Sequence, residues 1–353
     1  MNADALSFPL LIATFIVAAI VIWIAGIHLS YTTDKLANRF GFGEELAGMI
    51  ILAIVTNLPE IAIVFSASIQ HNMGIAIGNI LGGVAIQTVV LVVLDIFGIG
   101  KSESLTFKAS SIILILEGTL VLAVLSLVVV GHELPNSLIF LRVTPPALLI
   151  FVVWVIGIFL VSKARKTMPW VASFNNPQEQ NEIINNAKNE TGTKKNYSST
   201  SKTLLIFMFC SVITLVAGVA LEITGESLST HLGIQGVVFG ATFLAAATAL
   251  PEISTGLASI KLKDYQMAVS DIFGGNAFLP VLFLFATLLS GEAVLPAAQK
   301  TDLYLTGIAM FMTIIYIWGL LFRPQYQILR MGVDSFIVLI IYIVGIAGLF
   351  IIS

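Results

Sequence analysis

Of the 353 residues of the chain, 58% are hydrophobic and only 10% are charged, too few charges to cover the surface of a soluble domain of this size. The formal net charge of −3 gives no support to nucleic-acid binding, and the single cysteine, Cys210, excludes an intramolecular disulfide and a thiolate metal cluster. With a mean hydropathy of +1.00, the composition predicts an integral membrane protein.

Ten apolar runs are long enough to cross about 30 Å of hydrocarbon, which predicts an all-α polytopic membrane protein of ten transmembrane helices. No basic segment precedes the first run, so it is interpreted as a retained span and not as a cleaved signal peptide. The predicted spans are 8–29, 45–69, 74–98, 109–131, 145–163, 203–223, 235–260, 266–290, 303–322 and 334–352.

The basic residues give a topology for these spans. With ten spans, all of the 17 basic residues except Arg142 and Lys300 lie in loops on one side of the membrane. The positive-inside rule makes that side cytoplasmic, so both termini are predicted to face outward. The cell (inner) membrane is the expected location.

A polar segment divides the spans into two sets of five. Residues 164–202 are rich in Asn, Gln, Ser and charge, and they predict a mobile cytoplasmic linker between a first half, 1–163, and a second half, 203–353. Two glycosylation acceptor patterns, at Asn189 and Asn196, fall in this linker. Their predicted cytoplasmic side favours chance matches.

The two halves are related by an internal repeat. A shift of 192 residues aligns them without a gap from about residue 25 to 88, and it places TNLPEI (Thr56 to Ile61) on TALPEI (Thr248 to Ile253). Because each half has an odd number of spans, the second half enters the membrane from the opposite side, which makes the repeats inverted. A merely duplicated scaffold does not explain why the best-matched stretches are polar and helix-breaking.

Two repeat-related prolines, Pro59 and Pro251, lie inside apolar helical runs. Each removes a backbone N–H and frees the carbonyl four residues earlier. Exposed polar backbone is tolerated at that depth only where it is buried in protein or lines a cavity. Thr56 and Thr248 add hydroxyl oxygens in the same turns, so the two breaks predict a binding site rather than simple kinks.

Each proline is followed by a glutamate, Glu60 or Glu252, in the middle of a span. A carboxylate there costs at least about 2.5 kcal/mol. One interpretation has both groups protonated and hydrogen-bonded between helices. The other has them face each other as hard anionic ligands, which suits Ca²⁺, Na⁺ or H⁺ better than a thiophilic metal. Two close carboxylates do not ionise independently, so a proton could replace a cation.

Glycine pairs and polar residues follow each glutamate. The glycine pairs, which permit close helix packing, are Gly82-Gly83 and Gly274-Gly275. The neighbouring polar residues could belong to the site or could form hydrogen bonds between helices; they are Asn79, its repeat counterpart Asp271, Gln87 and Asn276. Asp95 and Glu117 also fall within predicted spans without acidic counterparts, which favours interhelical hydrogen bonding over a proton relay.

The doubled Thr-x-Leu-Pro-Glu motif, the glycine-rich segments and the inverted five-span halves resemble the cation/Ca²⁺ antiporter superfamily, and the sodium/calcium exchangers most of all. The resemblance covers the membrane portion and is densest in the two alpha-repeats, 45–95 and 237–287. It implies alternating access, in which the first and sixth spans move past the core. It also implies a ligand set that carries over directly as Glu60, Glu252, Thr56 and Thr248.

The sequence departs from this family's usual pattern at several ligand positions. The serines of Thr-Ser-Leu-Pro-Glu are Asn57 and Ala249 here. The Gly-Ser-Asn triplets and the later amide or acid positions are also altered: they are Gly82-Gly83-Val84, Gly274-Gly275-Asn276, Gln87 and Leu279. Oxygen ligands are therefore lost, while Asp271 offers a charge at a different position.

The sequence thus predicts a secondary active antiporter that exchanges Ca²⁺ for Na⁺ or H⁺. The altered ligands leave open an antiporter of another cation (Na⁺/H⁺, K⁺, Mg²⁺ or Mn²⁺) or a passive cation channel. An enzyme is not expected, since there is no nucleotide-binding loop, metalloprotease His pair or nucleophile–base set. The expected partners are inorganic cations and the lipid bilayer, with no cofactor, and the oligomeric state is left open.

Overall fold

The computed structural model describes residues 7–40, 47–100, 103–167 and 200–352, and helices occupy most of these ranges. Most of the predicted linker, including Asn189 and Asn196, lies outside the described residues.

In the first half, the helices are α1 (Phe8–Phe40), α2 (Ala47–Thr56), α3 (Leu58–Ile69), α4 (Met73–Leu94), α5 (Leu105–Ala109), α6 (Ile112–His132) and α7 (Pro145–Thr167). In the second half, they are α8 (Thr200–Leu232), α9 (Gly236–Phe239), α10 (Ala245–Thr248), α11 (Leu250–Lys261), α12 (Tyr265–Phe278), α13 (Leu282–Ser290), α14 (Lys300–Phe322) and α15 (Val333–Ile352). Short π-helical or 3₁₀ turns occupy Asp95–Ile99, Gly240–Leu244, Leu279–Val281 and Leu295–Ala297, and strands β1 (Gln327–Ile328) and β2 (Met331–Gly332) pair antiparallel.

The described residues contain eight helical segments that are long and apolar enough to cross a membrane, or nine if one bent pair is counted as a span. The predicted all-α polytopic class is therefore confirmed. Two predicted spans, 45–69 and 235–260, are not continuous helices. The first is divided at Asn57, and the second bends by 45° between Gly240–Thr248 and Leu250–Lys261. Residues 45 and 46 lie outside the described residues.

The first and sixth spans are longer than predicted. The predicted ends at 29 and 223 become Phe40 in α1 and Leu232 in α8. Polar residues lower the hydropathy beyond the predicted ends, but hydroxyls such as that of Thr32, which donates to the His28 carbonyl at 2.7 Å, satisfy themselves on the helix backbone. Such back-bonding gives a hydroxyl a hydrogen-bond partner within its own helix.

The long helices α1 and α8 pack against each other along their lengths, and each crosses the broken helix of the opposite half. A Cβ on Gly26 of α1 would lie 2.7 Å from the Pro251 Cβ, and a Cβ on Gly218 of α8 would lie 2.7 Å from the Ala62 Cβ and 3.0 Å from the Pro59 carbonyl oxygen. These glycines are repeat counterparts, so the same close contact occurs twice.

A buried core of α4, α6, α12 and α14 supports the broken helices. At its centre α4 meets the π-helical turn Gly240–Leu244, because a Cβ on Gly82 would overlap the Ala241 backbone. The Gly82 backbone therefore sets the distance between the third and seventh spans.

We expect Gly82→Ala to lower the thermal stability of the detergent-solubilised protein. The added methyl group has no space at the Ala241 backbone, and overpacking of this kind destabilises by about 1–3 kcal/mol. Gly307→Ala in α14 is a matched control, since no atom lies within 4 Å of its Cβ position. A melting temperature for Gly82→Ala equal to that of the Gly307 variant would contradict this account of the contact.

Candidate cation-binding site

The two broken spans place their glutamates at the start of a new helix. The backbone leaves helical geometry at Asn57 (φ −85°, ψ 14°) and at Ala249 (φ −78°, ψ 0°), each two residues before a proline. Glu60 and Glu252 then lie in the first turns of α3 and α11. Free backbone N–H groups and the positive end of the helix dipole favour negative charge at that position.

The two carboxyl groups converge on one amide, that of Gln87 from α4. Its Nε2 atom lies 3.4 Å from Glu60 Oε1, 3.5 Å from Glu252 Oε1 and 2.9 Å from Asn57 Oδ1. Glu60 is 0% exposed and Glu252 is 1% exposed. The structure thus brings together the predicted residues of both halves around a buried centre.

The threonines of each motif contact acids of the opposite half. Thr248 contacts Glu60, and Thr56 contacts Asp271. The Thr56 hydroxyl also lies 3.3 Å from the Ala53 carbonyl oxygen. The Thr248 hydroxyl lies 3.1 Å from the Ala245 carbonyl oxygen. Each hydroxyl has one proton to donate, either to its own helix or to the acid, and its oxygen lone pairs remain available to the centre.

Among the described residues, several buried oxygens of the predicted site residues have no hydrogen-bond partner. They are Glu60 Oε2, Glu252 Oε2, Asp271 Oδ1, Gln87 Oε1, Asn276 Oδ1 and Asn79 Oδ1. An unsatisfied buried polar group costs about 1–3 kcal/mol, and more when it is charged. Carboxylate, amide and hydroxyl oxygens are the ligands that hard cations prefer, so this set fits Na⁺ or Ca²⁺ by its chemistry.

The glycine positions explain part of the departure from the exchanger pattern. A Cβ on Gly275 would lie 2.8 Å from Asn57 Nδ2 and 3.0 Å from Gln87 Oε1. The repeat-related Cβ on Gly83 would lie 2.9 Å from Leu279 Cδ1. The space that a serine would need at Gly275 is therefore filled by amide groups, which supply polar atoms in place of a hydroxyl.

The remaining predicted residues have different roles. Gly82 contacts Ala241 as described above, and a Cβ on Gly274 would be in ordinary contact with Ala53 at 3.4 Å. Asn276 Nδ2 donates to Thr88 Oγ1 at 3.0 Å, which connects the two halves.

Two participants were not anticipated from the sequence. Thr255 donates to Asp271 Oδ2 at 2.7 Å and lies 3.1 Å from the Glu252 carbonyl oxygen. Its position one helical turn after Glu252 is the signal that could have found it. Thr88, one residue after Gln87, is the partner of Asn276.

Asp95 and Glu117 lie in separate polar clusters. Asp95 accepts hydrogen bonds from the backbone of Leu105 at 2.8 Å and of Gly332 at 2.7 Å. Glu117 accepts a hydrogen bond from Ser270 at 2.6 Å and forms an ion pair with Arg165 at 3.1 Å. The predicted topology places Arg165 in a loop after the fifth span, whereas the structure extends α7 to Thr167 and pairs Arg165 with the buried Glu117.

In the described part of the chain, no group of three or more His, Cys, Asp and Glu side chains is arranged to hold a metal ion. The centre is therefore two carboxylates with Asp271 nearby, supplemented by amide and hydroxyl oxygens.

An inverted helical bundle with two proline-broken spans and acids at the breaks is the architecture of a secondary transporter. The family model described as sodium/calcium exchanger protein matches residues 10–174 and 201–351. The chain therefore belongs to the sodium/calcium exchanger protein family, and the resemblance predicted from the sequence is confirmed.

Individual relatives agree with this family. The chain is 24% identical over 295 residues to the inner membrane protein YrbG of Escherichia coli, covering 82% of this chain and 83% of that protein. It is 25% identical over 332 residues to an uncharacterized membrane protein of Methanocaldococcus jannaschii, covering 90% and 97%. A solved structure of the sodium-calcium exchanger NCX_Mj matches with a TM-score of 0.58 at 18% identity, covering 96% and 98%.

We expect Gly275→Ala to disturb the centre while Gly274→Ala is tolerated. The methyl group at position 275 has to displace the Asn57 and Gln87 amides, whereas position 274 has room for it. The melting temperatures of the two variants are measured with and without a saturating cation. Overpacking at Gly275 is expected to lower the free energy of unfolding by about 1–3 kcal/mol. Equal melting temperatures and equal cation-dependent shifts in the two variants would show that the amides do not fill this space.

Proposed function

We propose that this protein is a secondary active cation antiporter whose transported ions bind between Glu60 and Glu252. The observation that carries the proposal is the set of buried, unpartnered oxygens contributed by both halves at two broken helices. Thr56, Thr248, Asn57, Asn79, Asp271, Gln87 and Asn276 are the proposed ligands or supports of the same site.

The energetics of the buried centre favour exchange over leak. Two buried carboxylates with Asp271 beside them cannot all be charged in a low-dielectric interior without positive charge nearby. Moving the empty, charged site through the membrane is therefore costly, whereas a site loaded with a cation or protons can move. A site that has to be occupied to move couples the outward movement of one ion to the inward movement of another.

We propose Ca²⁺ as the first ion to test, exchanged for Na⁺ or H⁺. The relative NCX_Mj is described as a sodium-calcium exchanger, but its likeness at 18% identity supports the fold alone. In this chain Ala249 and Leu279 are apolar at positions where the family pattern supplies oxygens. Exchange of Na⁺ for H⁺, or of K⁺, Mg²⁺ or Mn²⁺, therefore remains the alternative assignment of the same site.

The proposed motion uses the layer formed by α1 and α8. These helices expose apolar residues such as Ile16 and Phe209 on one side, and they contact the broken helices through Gly26 and Gly218 on the other. Backbone contacts without large side chains allow one layer to slide over another. We infer a topology with both termini outside and the 164–202 linker cytoplasmic, joining halves 1–163 and 203–353.

We expect Glu60→Gln and Glu252→Gln each to abolish gradient-driven uptake of radioactive Ca²⁺ into proteoliposomes. Glutamine preserves the size of the side chain but removes the negative charge that holds the cation. Glu292→Gln is the control, because Glu292 is an exposed acid whose loss changes the net charge equally. Full uptake by both central variants would refute the proposed site.

A counter-ion screen in the same proteoliposomes assigns the exchanged pair. Na⁺, K⁺ and H⁺ gradients are tested in turn against Ca²⁺, Mg²⁺ and Mn²⁺. Saturable uptake that requires one counter-ion gradient is the expected result. Uptake without any counter-ion, together with unit-conductance steps in planar bilayers, would instead identify a passive channel.

A further inference from the structure

A third fully buried glutamate lies outside the central pair. Glu222 in α8 is 0% exposed and contacts α3. Its Oε2 atom accepts hydrogen bonds from Ser66 at 2.9 Å and from Gln70 Nε2 at 2.7 Å, whereas its Oε1 atom is buried without a partner. No Lys, Arg or His of the described residues forms a salt bridge with it.

Glu222 lies on α8 between an exposed acid near the end of that helix and the central site. Gly218, Glu222 and Glu226 are spaced four residues apart, so they form one stripe on α8 with about 6 Å between successive members. Gly218 contacts Pro59, the residue before Glu60, and Glu226 at the other end of the stripe is exposed. The stripe therefore runs from the exposed Glu226 through the buried Glu222 to Gly218, which contacts the break before Glu60.

The corresponding stripe of the first half lacks the middle acid. The repeat counterparts of Gly218, Glu222 and Glu226 are Gly26, Ser30 and Asp34. The counterparts of Ser66 and Gln70 are Ala258 and Leu262, so the hydrogen-bonding partners are also absent there. Because the repeats are inverted, the two stripes lead to opposite faces of the membrane, and the buried acid serves one face alone.

We propose that Glu222, whose Oε2 atom is held by the Ser66 hydroxyl and the Gln70 side-chain amide, is an access site whose free Oε1 atom binds a hard cation on the membrane face opposite the linker before the ion reaches Glu60 and Glu252. This inference rests on the proposed antiport function. A buried carboxylate oxygen without a partner is a ligand of the kind that Na⁺ and Ca²⁺ prefer, and the donors on Ser66 and Gln70 fix the orientation of that carboxylate. The negative charge of the stripe also raises the local cation concentration and the rate of association.

The test compares Glu222→Gln with the wild type in vesicles whose orientation is scored by a tag at the C-terminus. Glutamine retains an oxygen acceptor for Ser66 and Gln70, so it removes the charge with little change in packing. We expect the KM for the cation added on the C-terminal face to rise about tenfold, as expected for loss of local electrostatic attraction. The maximal rate and the KM on the linker face are expected to stay unchanged.

Two further variants separate binding from packing. Glu222→Asp keeps the charge and is expected to give a KM between those of the wild type and Glu222→Gln. Glu292→Gln, a matched loss of an exposed acid, is expected to leave the KM on both faces unaltered. A Glu222→Gln protein with a wild-type KM on the C-terminal face, or with equal changes on both faces, would overturn the access site while leaving antiport intact. A wild type that exchanges no cation would overturn the proposed function itself.

Discussion

The structure depends on keeping two carboxyl groups buried inside the helical bundle. Glu60 and Glu252 are stabilised there by helix N-termini, which exist only because Pro59 and Pro251 interrupt the spans. An interrupted span in turn has to be enclosed by protein. This requirement explains the enclosing layer of α1 and α8 and the close approach of α4 to the π-helical turn Gly240–Leu244.

The repeat determines how the helices are arranged, and the positions at which its two halves differ determine which polar groups surround the centre. Position 87 faces Gly275, and its counterpart, position 279, faces Gly83, so the contact geometry is conserved between the halves. The residues differ, however: Gln87 bridges the two acids, whereas Leu279 is apolar. A duplicated backbone can therefore hold a site with one polar and one apolar side, which gives the two halves different contributions to the cation site that we propose between them.

Much of this organisation could be predicted from the sequence, because it depends on features that leave a repeated or periodic trace. The lengths of the apolar runs predict the spans, and the doubled Thr-x-Leu-Pro-Glu motif predicts the family. The sequence does not predict the roles of residues that have no polar counterpart in the other half. Thr255 is equivalent to the apolar Ile63, and Arg165 lies beyond the aligned region. The ends of α1 and α8 were missed because hydropathy does not register hydroxyls that bond back to their own helix.

The same asymmetry bears on how the two faces of the membrane capture ions. Gly26 and Gly218 each lie against the proline of the opposite half, Pro251 and Pro59, so these contacts do not by themselves distinguish one face from the other. Side chains one turn away do distinguish them, since Glu222 is a buried acid where its counterpart is Ser30. An antiporter of the kind we propose can then capture ions differently on its two faces, because capture depends on the charge along the access route.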